Sequence, residues 1–224
     1  MEIDDIMTDG SEFSIDAEIL ESDLVNIDHV LPDQIYLIPI RYRPIFPGIV
    51  TPLIISQGRF TKVIDRVLGE SRTIGLVLIR DDEKGEIDFD DLYTYGTAAR
   101  VLKKINLPDG GVNVLINSVR RFRIIRPVEQ KKYLMAEVQY LNDSLGRKNR
   151  LEIKALTREV LSQLKLLSDN NPLFTEEMKL TMLNVEEPGK IADFVTSILN
   201  IEKKDYQDVL ETLDVRLRLV RVLH

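Results

Sequence analysis

Four prolines between residues 39 and 52, Pro39, Pro44, Pro47 and Pro52, restrict this chain more than any other feature of its sequence. They fall within Ile35 to Leu53, where two short apolar runs, Ile35 to Ile40 and Ile49 to Ile55, flank a centre of Pro44, Phe46, Pro47 and Gly48. Each run has the length and β-branched content of a strand. Proline lacks the backbone donor and clashes with a preceding helical turn, so no helix passes here and the link is a stiff, irregular crossover. Prolines inside strands also confine those strands to sheet edges, bulges or strand ends, which predicts a small, partly open barrel rather than a flat central sheet. No catalytic group lies in the stretch.

The pattern downstream supports that architecture. Ser56 to Gly69 sets Phe60, Val63, Ile64, Val67 and Leu68 on one helical face, with Gly69 as the stop. Thr73 to Arg80 (TIGLVLIR) reads as a buried strand, and the charged DDEKGEIDFDD after it as a loop. Strands then follow one another: LYTYGTAARVLKKIN, VNVLINSV, RRFRIIRPV and YLMAEVQYL. Asp109 and Gly110, between Leu107-Pro108 and Gly111, supply hairpin chemistry between the first two. About six or seven strands with one short helix predict a compact β-barrel-like domain over residues 34–141.

Past Asn142 the period changes from two to three and four. Ile153, Leu156, Val160, Leu164 and Leu167 predict one long helix over Leu145 to Ser168, stopped by Asn170-Asn171-Pro172. Thr175 to Leu183 reads as a shorter helix with Glu176 and Glu177 in its first turn, and Pro188 leads another through Ile191 to Leu199. A last helix is expected from about Lys203 to the end, where Leu210, Leu213, Leu217 and Val220 keep a heptad spacing. Residues 142–224 are thus a helical bundle whose last helix either continues in a longer parent or packs against its own bundle, two readings that two heptads of spacing fit equally well.

Charge separates the other end. Residues 1–40 hold eleven of the 37 acidic residues and no Lys or Arg. The remainder is therefore net positive, and residues 1–33 read as a mostly disordered acidic leader, better explained as a solubilising tail than as a binding arm.

Little catalytic chemistry survives inspection. With no cysteine there is no disulfide, thiolate site or cysteine nucleophile, and His29 and His224 are the only histidines. A phosphate-cradling loop is missing, since Gly189-Lys190 precedes Ile191 and Asn184 stands where its first glycine belongs. The acids Asp81, Asp82, Glu83, Asp88, Asp90 and Asp91 lack calcium-loop spacing and read as a solvated loop. One basic concentration, Arg120, Arg121, Arg123 and Arg126, could contact phosphate; a charged strand face guarding a sheet edge is the favoured reading. The N-terminus lacks the basic start and apolar core of an export signal, and no uncharged run approaches a membrane span. A cytoplasmic protein without a membrane partner is expected.

Assembled, the sequence resembles the N-terminal domain of the ATP-dependent Lon proteases. The resemblance rests on IPIRYRPIFPGIVTPLIISQGR (Ile38 to Arg59), YGTAARVLKKINLPDGGVNVLINSVRRFRI (Tyr95 to Ile124) and LETLDVRLRL (Leu210 to Leu219). It departs at Asn117 and Ser118, where the family commonly has glycine, and at Ile54 to Gln57. The resemblance implies an α+β fold: a PUA-like small β-barrel with one short helix, followed by an α-helical bundle leading into a long helix. It implies a non-catalytic role in recognising unfolded or degron-bearing protein substrates and in supporting a hexamer, as part of protein quality control. In that family the ATPase and the Ser-Lys protease lie C-terminal to this region, so no cofactor or metal is expected in this chain, and ATP and magnesium belong to the parent's other domains. A stand-alone interaction module is the competing reading, because proteins with only this β-domain exist and cereblon carries a related one; the LETLDVRLRL stretch favours the protease. Binding is expected of Ile45, Phe46, Pro47, Pro108 and Asp109, as a shallow apolar patch joining the crossover to the hairpin, against the reading that Ile45 and Phe46 fill the core. Nucleic acid is the least favoured partner.

Overall fold

The computed structural model describes residues 31–81, 85–128, 133–146, 150–169 and 187–224. The acidic leader, apart from its last residues, and the helix expected at Thr175 to Leu183 lie outside the described residues. Among the described residues there are six strands and five α-helices. The strands are β1 (Gln34–Ile40), β2 (Val50–Ile55), β3 (Thr73–Ile79), β4 (Leu92–Asn106), β5 (Val112–Val128) and β6 (Met135–Tyr140). The helices are α1 (Arg59–Leu68), α2 (Arg150–Asp169), α3 (Pro188–Ile198), α4 (Lys203–Glu211) and α5 (Val215–Leu223). None of them is long and apolar enough to cross a membrane.

The sheet is mixed. Its order is β2-β5-β4-β3-β1-β6, with β1 parallel to β3, and a second pairing of β6 with β5 turns five of the strands into a ring. The prolines fall where a missing donor costs least: Pro52 lies on the edge strand β2, and Pro39 lies beyond Tyr36↔Met135, the last pairing of β1 with β6. VNVLINSV and RRFRIIRPV are not two strands but one, β5, because Ser118-Val119 offers no turn chemistry. A shift in register between Ser118 and Arg120 lets that strand bend, so its first half pairs with β2 and its second half with β6.

Period-two alternation sends successive residues of these strands to two cores. On one side Tyr36, Ile38, Ile74, Leu76, Val114 and Ile116 pack under Val63, Ile64 and Val67 of α1. On the other, Ile35, Leu37, Val77, Phe122, Ala136 and Val138 fill the ring. Both faces of β3 are therefore covered, and all seven of its residues are buried, as its continuous apolar run predicts. Phe122 needs room, and Gly75 and Gly96 provide it: a Cβ at either would lie 2.8–2.9 Å from the tip of the Phe122 ring. Near the ring's end the Tyr140 hydroxyl donates to the carbonyl of Pro32 at 2.8 Å, and burial, helped by Asp33, pushes this phenol above its ordinary range.

Helices α2, α3 and α5 bury Ile153, Val160, Leu164, Ile191, Val195, Val215 and Leu219 against one another. Pro188 stands in the first turn of α3, where its missing N–H is harmless. The single helix expected from Lys203 to the end is two. Asp214 caps a new helix by accepting from the amide of Leu217 at 3.0 Å, and Ser144 bonds to Leu213 and Val215 across the break. The heptad spacing does not carry one unbroken helix, because Asp214, three residues before Leu217, caps a new one. Leu217 itself is exposed.

Candidate binding surface

The crossover from β1 to β2 is held from below by Ser118. Its hydroxyl lies 2.6 Å from the carbonyl of Phe46 and 2.8 Å from that of Ile49, and it accepts from the amide of Ile49 at 2.8 Å. A glycine at 118 would leave the Phe46 carbonyl and the Ile49 amide unmatched, whereas the Ile49 carbonyl would keep the backbone amide of residue 118 at 2.9 Å. Gly48, at φ +85, makes the turn that a side chain would strain.

Phe46 points inward from this loop. It is fully buried against Tyr206, Val209 and Leu210 of α4 and joins the sheet to the helices. It has no surface to offer a partner, which corrects the expectation that it forms part of an exposed patch; the alternative, that it fills a core, fits its position. Truncation to alanine should cost about 3–5 kcal/mol in a urea titration, the range for an enclosed Phe, without changing the affinity of folded protein for a polypeptide ligand. Ile45 is partly buried against the α1 side of the sheet, and Pro47 is half-buried.

Pro108 and Asp109 sit exposed in the β4–β5 hairpin, where the Asp109 carboxylate accepts from the amide of Gly111 at 2.8 Å and Gly110 takes φ +81. The hairpin and the crossover do not meet. Ile55 and Gln57 reach the hairpin, whereas Ile49 pairs with Ser118. The six residues of β2 therefore separate the two loops by about 20 Å.

What lies between them is apolar. Val50, Pro52 and Ile54 of β2 face solvent, with Ile54 67% and Val50 40% exposed, while Leu53 and Ile55 turn to the core. Cross-strand register puts Ile54 beside Asn113 and Ile105, and Pro52 beside Leu115 and Lys103. Tyr42, 78% exposed, stands at the crossover end. An apolar face on an edge strand is unusual because it invites association. Its signal in the sequence is VTPLII, in which the set Val50, Pro52 and Ile54 is wholly apolar and the other set is broken only by Thr51.

The four arginines do not form a patch. Arg120 is exposed, Arg123 donates to Gln139 at 3.1 Å, and Arg126 pairs with Glu137 at 2.5 Å. Arg121 is buried, which corrects its place on a solvated strand face. Its guanidinium makes two bonds to Asp193, of 2.9 and 2.6 Å, and a third to the carbonyl of Leu210. Asp193 also accepts from Arg218 at 3.1 Å, and Arg218 grips Asp143 at 3.1 and 2.5 Å and the carbonyl of Thr212 at 2.8 Å. Two cations and two carboxylates balance, and the donors also satisfy carbonyls at the C-terminal end of α4, as a buried network requires. It ties β5, the segment after β6, α3 and α5 together and takes Arg121 out of the basic concentration, whereas Arg120, Arg123 and Arg126 stay at the surface. Among the described residues no group of His, Asp and Glu is arranged to hold a metal ion.

Comparison with known proteins agrees with this architecture. A family profile described as the ATP-dependent protease La (LON) substrate-binding domain matches residues 34–224. Among curated proteins, the chain is 47% identical to a Lon protease of Leptospira interrogans over 205 residues, covering 92% of this chain and 24% of that protein. It is 49% identical to a Lon protease of Treponema pallidum over 199 residues, 89% of this chain and 22% of that protein. The chain thus spans about a quarter of the length of these relatives. Among solved structures, the N-terminal domain of a Mycobacterium avium complex Lon protease superposes with a TM-score of 0.69 at 20% identity, covering 85% of this chain and 96% of that one. The corresponding domain from Xanthomonas campestris gives 0.57 at 18% identity over the same shares. At those identities the likeness is one of fold.

Proposed function

The chain belongs to the family of LON substrate-binding domains, and on that basis we propose that it is the non-catalytic, substrate-recognising part of an ATP-dependent serine protease that degrades misfolded and regulatory proteins. The observation that carries this reading is the exposed apolar face of Val50, Pro52 and Ile54 on an open edge strand, flanked by Tyr42. Such a face suits extended segments whose apolar side chains a folded protein would hide. The ring of β5, β4, β3, β1 and β6 supports a PUA-like barrel for residues 34–141, with residues 142–224 as its helical support. In this reading ATP, magnesium and peptide-bond hydrolysis belong to the rest of a hexameric, cytoplasmic parent.

Reduced, carboxymethylated polypeptide offered to the 224-residue chain should bind, and Ile54→Asp should weaken it at least tenfold in fluorescence anisotropy, since losing a buried isoleucine contact is worth about 1.5–3 kcal/mol. Because Ile54 is exposed, the melting transition should stay within about 0.5 kcal/mol of the parent. Unchanged affinity would move recognition off this face.

A further inference from the structure

The proposed recognition face has a backbone as well as side chains. Strand β2 pairs with β5 alone among the described strands. In an antiparallel ladder, alternate residues aim their N–H and C=O at the partner. Ser118 donates to the carbonyl of Ile49, so Ile49, Thr51, Leu53 and Ile55 aim at β5, and Val50, Pro52 and Ile54 aim outward. The outer edge thus offers two donors, from Val50 and Ile54, and three acceptors, and Pro52 removes the donor between them.

Two cavities run in tandem along this edge. One of about 600 Å³ lies between Leu53 to Ile55 and the end of β1 at Ile38 to Ile40. The other, about 340 Å³, is lined by Ile49, Thr51 and Pro52 and shares Ile40 and Tyr42 with the first. Arg43 and Arg59 line them, and among the described lining residues there is no carboxylate. On the substrate-recognition reading above, we propose that an extended segment of a client protein binds here by strand addition. It pairs its backbone with Val50, Pro52 and Ile54, its apolar side chains occupy the lane, and its acidic residues are preferred to basic ones.

The test is amide hydrogen exchange by NMR on the 224-residue chain with a capped nine-residue peptide alternating valine and glutamate. Strand addition slows exchange at Val50 and Ile54 at least tenfold and leaves Thr51, Leu53 and Ile55 unchanged. N-methylation of one alternate set of peptide residues abolishes binding and that of the other set does not, and a valine–lysine peptide binds more weakly. Equal loss for both methylated sets, or binding without protection of Val50 and Ile54, overturns strand addition while leaving substrate recognition intact if Ile54→Asp still weakens the carboxymethylated polypeptide. Protection that rises with protein concentration and ignores the peptide would assign the edge to a second copy of the chain and overturn the proposal. No binding of either ligand defeats both readings.

Discussion

Asp193→Ala should lower the stability of the chain by about 3–5 kcal/mol, the cost of removing one partner from a buried ion network. Asp193 accepts from both Arg121 and Arg218, and neither arginine has an exposed route to water. Without it, two guanidinium groups share the single carboxylate of Asp143, which is itself a third exposed and stands 3.7 Å from Arg121. The loss should be regional, since Asp193 lies on α3 and its partners on β5 and α5. Circular dichroism in urea should show helical signal lost before the NMR signals of Tyr36, Tyr95 and Tyr140 on the ring strands, whereas the unsubstituted chain should unfold in one step. Asp193→Asn keeps the shape and removes the charge, and should recover less than half of the loss. A combined replacement of Arg121, Asp193 and Arg218 by apolar residues of similar volume should be less damaging than Asp193→Ala alone, because the cost lies in uncompensated charge rather than in the missing bonds.

The network also shows where sequence reasoning stops. Arg121 and Arg123 occupy equivalent places in a period-two pattern, and nothing local tells the buried one from the exposed one. The difference is made by Asp193, 72 residues away, and by the helices that cover β5. Phe46 posed the same problem, because a Phe between prolines fits an exposed loop or a core plug, and only the position of α4 decides. By contrast the starts of β1 to β4, the hairpin at Asp109-Gly110, the first turn of α3 at Pro188 and the α1 face are legible, since each depends on neighbours within a turn or two. The apolar edge at Val50 and Ile54 was legible in part: the strand and its prolines were read, but not the solvent-facing set, because register with β5 decides which set is buried.

Gly96→Ala should be the most damaging single-methyl change in the sheet. Gly96 begins the GTAAR stretch of β4 and stands directly opposite Phe122. An added Cβ would lie 2.5 Å from the carbonyl oxygen of Leu76, 2.8 Å from the Phe122 ring and 2.9 Å from Val77. The first contact is with backbone, and Leu76 cannot retreat without disturbing the β3–β4 pairing of Val77 with Gly96. Phe122 cannot turn aside either, because Gly75 and the side chains of Ile35 and Leu37 close its other flank. Overpacking of this kind costs about 1–3 kcal/mol where side chains can yield, and the backbone contact places this site at or above the upper end. Gly69→Ala is the matched control: its nearest atom is 3.5 Å away and its φ is −83°, so it should stay within about 0.5 kcal/mol. Pairing Gly96→Ala with Phe122→Leu separates the two contacts. Shortening the ring relieves one clash and leaves the Leu76 carbonyl where it was, so the double variant should recover only part of the lost stability in thermal melts. Full recovery would mean that the ring, not the strand backbone, is what Gly96 accommodates.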